Sequence, residues 1–211
     1  MQHGSPLSRR TLVAGAIAVG ASAFIVPAVT APSGTAFAED GKKVQYGFMV
    51  RVDNCQNCGK CVISCRVHNR TPEGVGSRRK ITAYKKKTGK EIYITTSCMH
   101  CAEPSCVTVC PSGAISKGQG GIVRVDHDRC IGCKYCYQAC PFEAPHYIEG
   151  SGMDKCDCCL EAGIELGQTP FCVQSCRFGA LEYGQIDELL AKTNGLGHQV
   201  EGPTGPSMVL R

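Results

Sequence analysis

The chain has 211 residues, of which seventeen are cysteine and none is tryptophan, and only 6% are aromatic, so large apolar side chains are too few to account for the fold by themselves. The formal charge of the bare chain is +5. No Rossmann glycine fingerprint, phosphate loop or nucleophile–base arrangement is present, so any catalysis would belong to another chain.

The N-terminus carries Ser8-Arg9-Arg10-Thr11-Leu12-Val13, has no further charge until Glu39, and ends in Ala36-Phe37-Ala38. A twin-arginine n-region, a weakly apolar stretch and an A-x-A site read as a Tat-type export signal over residues 1–38, and place the mature chain in the periplasm or another extracytoplasmic space. Residues 11–38 are long enough for a retained membrane anchor, but Gly15, Gly20, Ser22 and Pro27 make a poor permanent span, and no other stretch would cross a bilayer.

Tyr46 to Asp53 reads as a leading strand running into Cys55, Cys58, Cys61 and Cys65, spaced C-x2-C-x2-C-x3-C. Ile81 to Tyr84 and Glu91 to Thr95 then flank Lys85-Lys86-Lys87-Thr88-Gly89-Lys90, a hairpin with a basic tip. Cys98, Cys101, Cys106 and Cys110 follow as C-x2-C-x4-C-x3-C, closed by Pro111. Val107 to Cys110 starts a helix, and Ala114 to Ser116 and Ile122 to Asp126 are short strands turned by Gln119-Gly120-Gly121. Cys130, Cys133, Cys136 and Cys140 repeat the first spacing and are closed by Pro141, with Tyr135 to Cys140 helical and His146 to Ile148 extended. Cys156, Cys159, Cys172 and Cys176 read C-x2-C-x12-C-x3-C, ending in a helix at Phe171 to Cys176 and a strand at Ala180 to Tyr183. Ile186 to Lys192 predicts a short helix stopping near Asn194-Gly195, and the Gly/Pro-rich residues from Gly197 predict a flexible or partner-bound end.

Sixteen of the seventeen cysteines thus form four tetrads, and Cys158 is left over. A tight turn carrying C-x2-C-x2-C points three sulfurs at one iron–sulfur core, while a cysteine four residues further on starts a helical turn that leads away. In two-cluster ferredoxins that fourth cysteine ligates the partner cluster, so the tetrads should work in pairs. A disulfide framework would spread its cysteines along the chain, and structural zinc uses two C-x2-4-C knuckles, which leaves the third and fourth cysteine of each tetrad unexplained. Export fits the same picture: clusters are inserted in the cytoplasm, and the Tat route carries folded proteins. Without the two leader arginines the chain has 21 basic and 18 acidic residues, and four clusters with their thiolates bring that formal +3 to about −5, so nucleic-acid binding has little support.

The internal repetition predicts an α+β fold of two bacterial-ferredoxin-like two-cluster modules. The inner module spans residues 96–149 and is inserted in an outer module built from 39–95 and 150–190, with a tail over 191–211.

Ser97-Cys98-Met99-His100-Cys101, Cys110-Pro111-Ser112-Gly113-Ala114, Cys130-Ile131-Gly132-Cys133-Lys134-Tyr135-Cys136 and Lys155-Cys156-Asp157 give the chain a further identity. Between about Tyr46 and Glu188 it resembles the four-cluster iron–sulfur subunits of molybdopterin oxidoreductases, the type found with dimethyl sulfoxide, polysulfide, tetrathionate and arsenate reductases and with formate-dependent nitrite reduction. The resemblance implies four [4Fe-4S] clusters: Cys55, Cys58 and Cys61 with Cys176; Cys65 with Cys156, Cys159 and Cys172; Cys98, Cys101 and Cys106 with Cys140; and Cys110 with Cys130, Cys133 and Cys136. It departs from the strictest pattern where Arg66 and Arg177, not proline, follow the outer tetrads, which adds positive charge near the outer clusters. Cys158 is expected as a bystander thiol, and His100 and Lys134 as tuning residues inside cluster loops.

The resemblance implies an electron-transfer subunit that is not catalytic alone, working between a molybdopterin-containing catalytic subunit and a membrane quinol-linked or cytochrome partner. The rivals are the equivalent subunit of a periplasmic hydrogenase or formate dehydrogenase, and a free-standing polyferredoxin shuttle.

Overall fold

Short elements in an α+β arrangement carry the four cysteine tetrads in a computed structural model that describes residues 44–211; the expected export signal at 1–38 lies outside the described residues. In chain order the elements are β1 (Tyr46–Val50), α1 (Lys60–His68), β2 (Lys80–Lys85), β3 (Glu91–Thr96), α2 (Ser105–Thr108), β4 (Ile115–Lys117), β5 (Val123–Val125), α3 (Tyr135–Ala139), β6 (His146–Ile148), β7 (Gly152–Asp154), α4 (Phe171–Gln174), β8 (Leu181–Gln185), α5 (Ile186–Ala191), β9 (His198–Gln199) and β10 (Met208–Leu210). The longest of these helices, α1, has nine residues. None reaches the roughly 12–15 residues at which a helix begins to hold in water by itself, so tertiary contacts must support them all.

The helices are set by local chemistry around the cysteines. α2 and α4 share the pattern Pro-x-Cys-Val-x-x-Cys, with Pro104 and Pro170 as the residues before the first turn. Because proline fixes φ and lacks an N–H, it suits a position where no helical donor is needed. This is why α2 starts at Ser105, earlier than the expected Val107. α1 follows Gly59, whose φ of 71° lies in the left-handed region, and turns Cys61 and Cys65 to one buried side. It packs on α4: His68 stacks on Phe171 at 3.8 Å, and the Ser64 hydroxyl donates to the Phe171 carbonyl at 3.1 Å.

The main sheet has the order β8-β1-β10-β9. β1 is antiparallel to β8, from Tyr46↔Gln185 to Val50↔Leu181, and parallel to β10, from Phe48↔Met208 to Val50↔Leu210. Side chains alternate across β1, and both faces are covered. Met49 packs with Val209, Ile186 and Leu189 of α5 on one side; Phe48 and Val50 join Leu181, Met208 and the cysteine core on the other. Met49, Val50, Leu189 and Val209 are fully buried, and each side chain of this size stabilises the fold by about 1.5–3 kcal/mol. β2–β3, β4–β5 and β6–β7 are separate antiparallel hairpins, the first with the basic tip its sequence predicts.

The end of the chain departs from expectation. Residues from Gly197, expected as a flexible or partner-bound end, supply β9 and β10, and they also bind the loop around the second tetrad. Ala102 N–H donates to Gly205 O at 2.7 Å, Glu103 N–H to Thr204 O at 3.1 Å and Ser207 N–H to Met99 O at 2.8 Å. The apolar run Met208-Val209-Leu210 beside an open edge of β1 is the physical reason: pairing there buries the side chains and satisfies the backbone together.

Candidate metal centres

All seventeen cysteines lie among the described residues, and none is in a disulfide. Their sulfurs gather in four places. Cys55, Cys58, Cys61 and Cys176 line one cavity, closed by Ile81 and Leu181. Burial pushes the Cys55 thiol up, opposed by the Asn57 N–H, and the neighbouring Cys61, Cys176 and Cys58 sulfurs push it further up. Cys65 is raised by burial and then by Cys156 and Cys172, with Cys159 also contributing. Asn69 Nδ2 lies 3.8 Å from Cys65 Sγ and 3.7 Å from Cys159 Sγ, tying α1 to the Cys156–Cys159 turn.

The third gathering is Cys98, Cys101, Cys106 and Cys140. Burial, then Cys98, Cys140 and Cys101, push Cys106 up to about 12, although Lys155 opposes them. The Thr204 hydroxyl, from the C-terminal segment, donates to Cys101 Sγ at 3.1 Å, and the Ala144 N–H to Cys140 Sγ at 3.5 Å. Cys110, Cys130, Cys133 and Cys136 line the fourth place, with Tyr147 and Met153 among its walls. Tyr147 Oη is 3.1 Å from Cys136 Sγ. At Cys110 burial acts upward, but hydrogen bonds from Ser112 and from the Ile115, Ala114 and Ser112 N–H groups outweigh it and hold the thiol below its usual value.

Backbone geometry around the sulfurs is unusual in the same way each time. The C-x2-C turns contain Asn57 and Gly59, then His100, then Gly132 and Lys134, then Cys158 and Cys159, all with φ between 42° and 71°. Left-handed residues among right-handed ones make successive N–H groups converge into concavities that favour anions. Four sulfurs crowded together raise one another's cost of ionising, and converging N–H dipoles favour negative charge. Both features fit an anionic iron–sulfur cluster, whose irons neutralise the thiolates.

Several other residues reach these places. His100 is fully buried. Val123 N–H donates to its Nδ1 at 3.0 Å, which puts the ring proton on Nε2, 3.3 Å from Cys158 Sγ. His100, Cys156 and Cys158 have ligand atoms within 4.8 Å of one another. Cys98, although burial raises it, is held at about 6 by Lys155 and His100. Lys155 is itself buried and donates to the carbonyls of Val123 and Cys156. Lys134 lies 5.4 Å from the Tyr147 ring centre, and Arg66 turns away to donate to the Val75 and Pro72 carbonyls. Sequence reasoning missed Arg79, Asn69, Tyr147 and Thr204: Thr204 meets Cys101 from the far end of the chain, while Asn69 and Tyr147 stand near Cys65 and Cys136 in sequence but no spacing pattern marks them; Lys155 carried a signal only as the residue before Cys156.

Comparison with known proteins points to the same class of cofactor. Residues 90–186 and residues 54–114 each match a family described as a 4Fe-4S dicluster domain. The sequence is 40% identical over 184 residues to a polypeptide of the anaerobic dimethyl sulfoxide reductase of Escherichia coli, covering 79% of this chain and 88% of that protein. It is 36% identical over 149 residues to the thiosulfate reductase electron transfer subunit PhsB of Salmonella typhi, covering 68% and 78%. A tetrathionate reductase subunit of Salmonella typhimurium is 33% identical over 192 residues, covering 88% and 76%. With two dicluster matches and relatives aligned over most of their own length, this protein belongs to the 4Fe-4S dicluster family of electron-transfer subunits found in the dimethyl sulfoxide, thiosulfate and tetrathionate reductases.

Proposed function

We propose that this chain relays electrons singly through four [4Fe-4S] clusters, between a molybdopterin catalytic subunit and a membrane quinol-linked or cytochrome partner, after export in folded form by the Tat route. The observation that carries this reading is the gathering of sixteen sulfurs into four places, each drawing three from one tetrad and one from another. Cys55, Cys58, Cys61 and Cys176 would hold the first cluster, and Cys65, Cys156, Cys159 and Cys172 the second. Cys98, Cys101, Cys106 and Cys140 would hold the third, and Cys110, Cys130, Cys133 and Cys136 the fourth. The exchange of one cysteine between paired tetrads, with β1 paired to β8 and α1 packed on α4, supports an inner ferredoxin-like module nested in an outer one.

When bound, each cluster supplies one-electron redox chemistry at a potential set by its surroundings. The protein residues supply spacing, burial and hydrogen bonds. Left-handed turns aim N–H groups at the sulfurs, and Thr204 and Tyr147 reach Cys101 and Cys136. Cys58 of the first set and Cys133 of the fourth are the exposed cysteines, which favours the first and fourth sites as those nearest the surface. Partners would exchange electrons there; Ile131, Tyr135 and Tyr137 expose apolar surface beside Cys133. No helix among the described residues is long and apolar enough to cross a membrane, so a separate membrane partner fits this arrangement.

Anaerobic iron and acid-labile sulfide analysis of the purified protein, with a redox titration followed by EPR, tests the reading. Close to four irons and four sulfides per tetrad, with interacting signals on reduction, is expected; zinc, or no metal, would remove electron transfer from the account. Export is tested by Arg9→Lys with Arg10→Lys, which is expected to leave the protein in the cytoplasmic fraction with its clusters loaded.

A further inference from the structure

Arg78 and Arg79 are neighbours in sequence, both buried, and opposite in electrostatic circumstance. Arg78 is paired with Asp154 at 2.7 Å, Asp157 at 2.8 Å and Glu161 at 3.3 Å. Arg79 is only 1% exposed, and no carboxylate pairs with it among the described residues. Its Nη1 donates to Thr95 Oγ1 at 3.3 Å and its Nη2 to Ser97 Oγ at 3.0 Å, and its guanidinium carbon lies 4.4 Å from the centre of the Phe48 ring. All three partners are neutral. A buried charge is tolerated where an opposite charge compensates it, and the candidates near Arg79 are sulfurs. Thr95 Oγ1, which accepts from Arg79, is 3.6 Å from Cys61 Sγ. Burial disfavours the Arg79 charge, and the sulfurs of Cys172, Cys156, Cys61 and Cys65, drawn from the first and second sets, offset it.

We propose that Arg79 is a counter-charge shared by the first and second clusters, a fixed positive charge that raises both potentials together and so favours reduction at both sites. The inference rests on the four-cluster reading above. A [4Fe-4S] cluster with four thiolates goes from a formal charge of about −2 to −3 on taking up one electron, with no bond made or broken. A nearby positive charge stabilises the reduced form more than the oxidised one. Because a guanidinium stays protonated throughout the accessible pH range, no proton needs to accompany the electron at Arg79. Unit charges on the order of 10 Å apart at an effective dielectric of about 20 interact strongly enough to move an equilibrium by about tenfold.

The test is an EPR-monitored redox titration of the purified holoprotein, with its partner subunits retained where they co-purify, and dithionite through mediators as the electron source. Arg79→Met removes the charge and keeps the bulk; Arg79→Lys keeps the charge. Arg79→Gln also removes the charge but can still donate to Thr95 and Ser97, so it reads the same effect if Arg79→Met does not load. In Arg79→Met or Arg79→Gln, two of the four reduction equilibria are expected to fall about tenfold, equal to about 59 mV for one electron, while the other two stay put and Arg79→Lys resembles the wild type. Fully loaded variants whose four potentials all hold, or all move equally, would overturn the proposal while leaving the four-cluster reading intact. A wild-type protein without sixteen irons would instead overturn that reading, and this inference with it.

Discussion

Side by side, Arg78 and Arg79 show how a single charge takes its meaning from what faces it. Truncating Arg78 leaves Asp157 buried without its cation and Asp154 with only His146, 2.9 Å away. Breaking a buried pair in this way costs about 3–5 kcal/mol, so Arg78→Ala is expected to lower Tm by roughly 10 °C, measurable by thermal melting of the loaded protein. Gly47 and Gly184 face each other across β1 and β8 but differ in tolerance. A Cβ on Gly47 would lie 2.1 Å from Ser207 O and 2.5 Å from Ile186 Cδ1, whereas one on Gly184 meets only Leu189 at ordinary contact, 3.5 Å. Gly47→Ala is expected to destabilise by about 1–3 kcal/mol and Gly184→Ala to be nearly neutral, by the same melt. Cys158 stands outside all four sulfur sets, against His100. Cys158→Ser is therefore expected to keep full iron and sulfide content; loss of one cluster's four irons would make it a ligand.

Elements here are too short to be autonomous, so each owes its place to another part of the chain. β10 is the clearest case. It completes the main sheet beside β1, and the segment before it supplies the Thr204 hydroxyl to Cys101 and three backbone hydrogen bonds to the Met99–Glu103 loop. Deleting residues 195–211 would uncover Phe48, Met49 and Val50 and release that loop. The expected outcome is a poorly soluble protein that loses iron first from the Cys98–Cys101–Cys106–Cys140 site, seen as selective disappearance of one cluster's EPR signal. Glycine and proline punctuate the segment from Gly197 and predict a flexible or partner-bound end. Three apolar residues at its close outweigh them once a β1 edge is available, and that edge is invisible to local periodicity.

On the scale of the whole molecule, cysteines are part of the core itself: Cys61, Cys98, Cys156, Cys158 and Cys172 pack with Phe48, Ile122 and Leu181. Metal binding and folding are then coupled, so stripping iron anaerobically with a chelator is expected to abolish the near-UV CD signal as well as the brown colour; retention of native near-UV CD without iron would show an independent apolar core. The kind of cofactor chemistry was legible in the sequence, because C-x2-C-x2-C spacing is a short-range constraint that few other ligand sets require. So were the β2–β3 and β4–β5 hairpins, which are made from adjacent residues. The gathering of Cys176 with the Cys55 tetrad came from a resemblance and not from spacing, since more than a hundred residues separate them. Arg79 had no sequence signal beyond standing next to another arginine. Spacing along the chain determined what these sulfurs can hold; the tertiary structure alone decided which buried charge faces which sulfur, because that depends on contacts between segments whose separation no local pattern records.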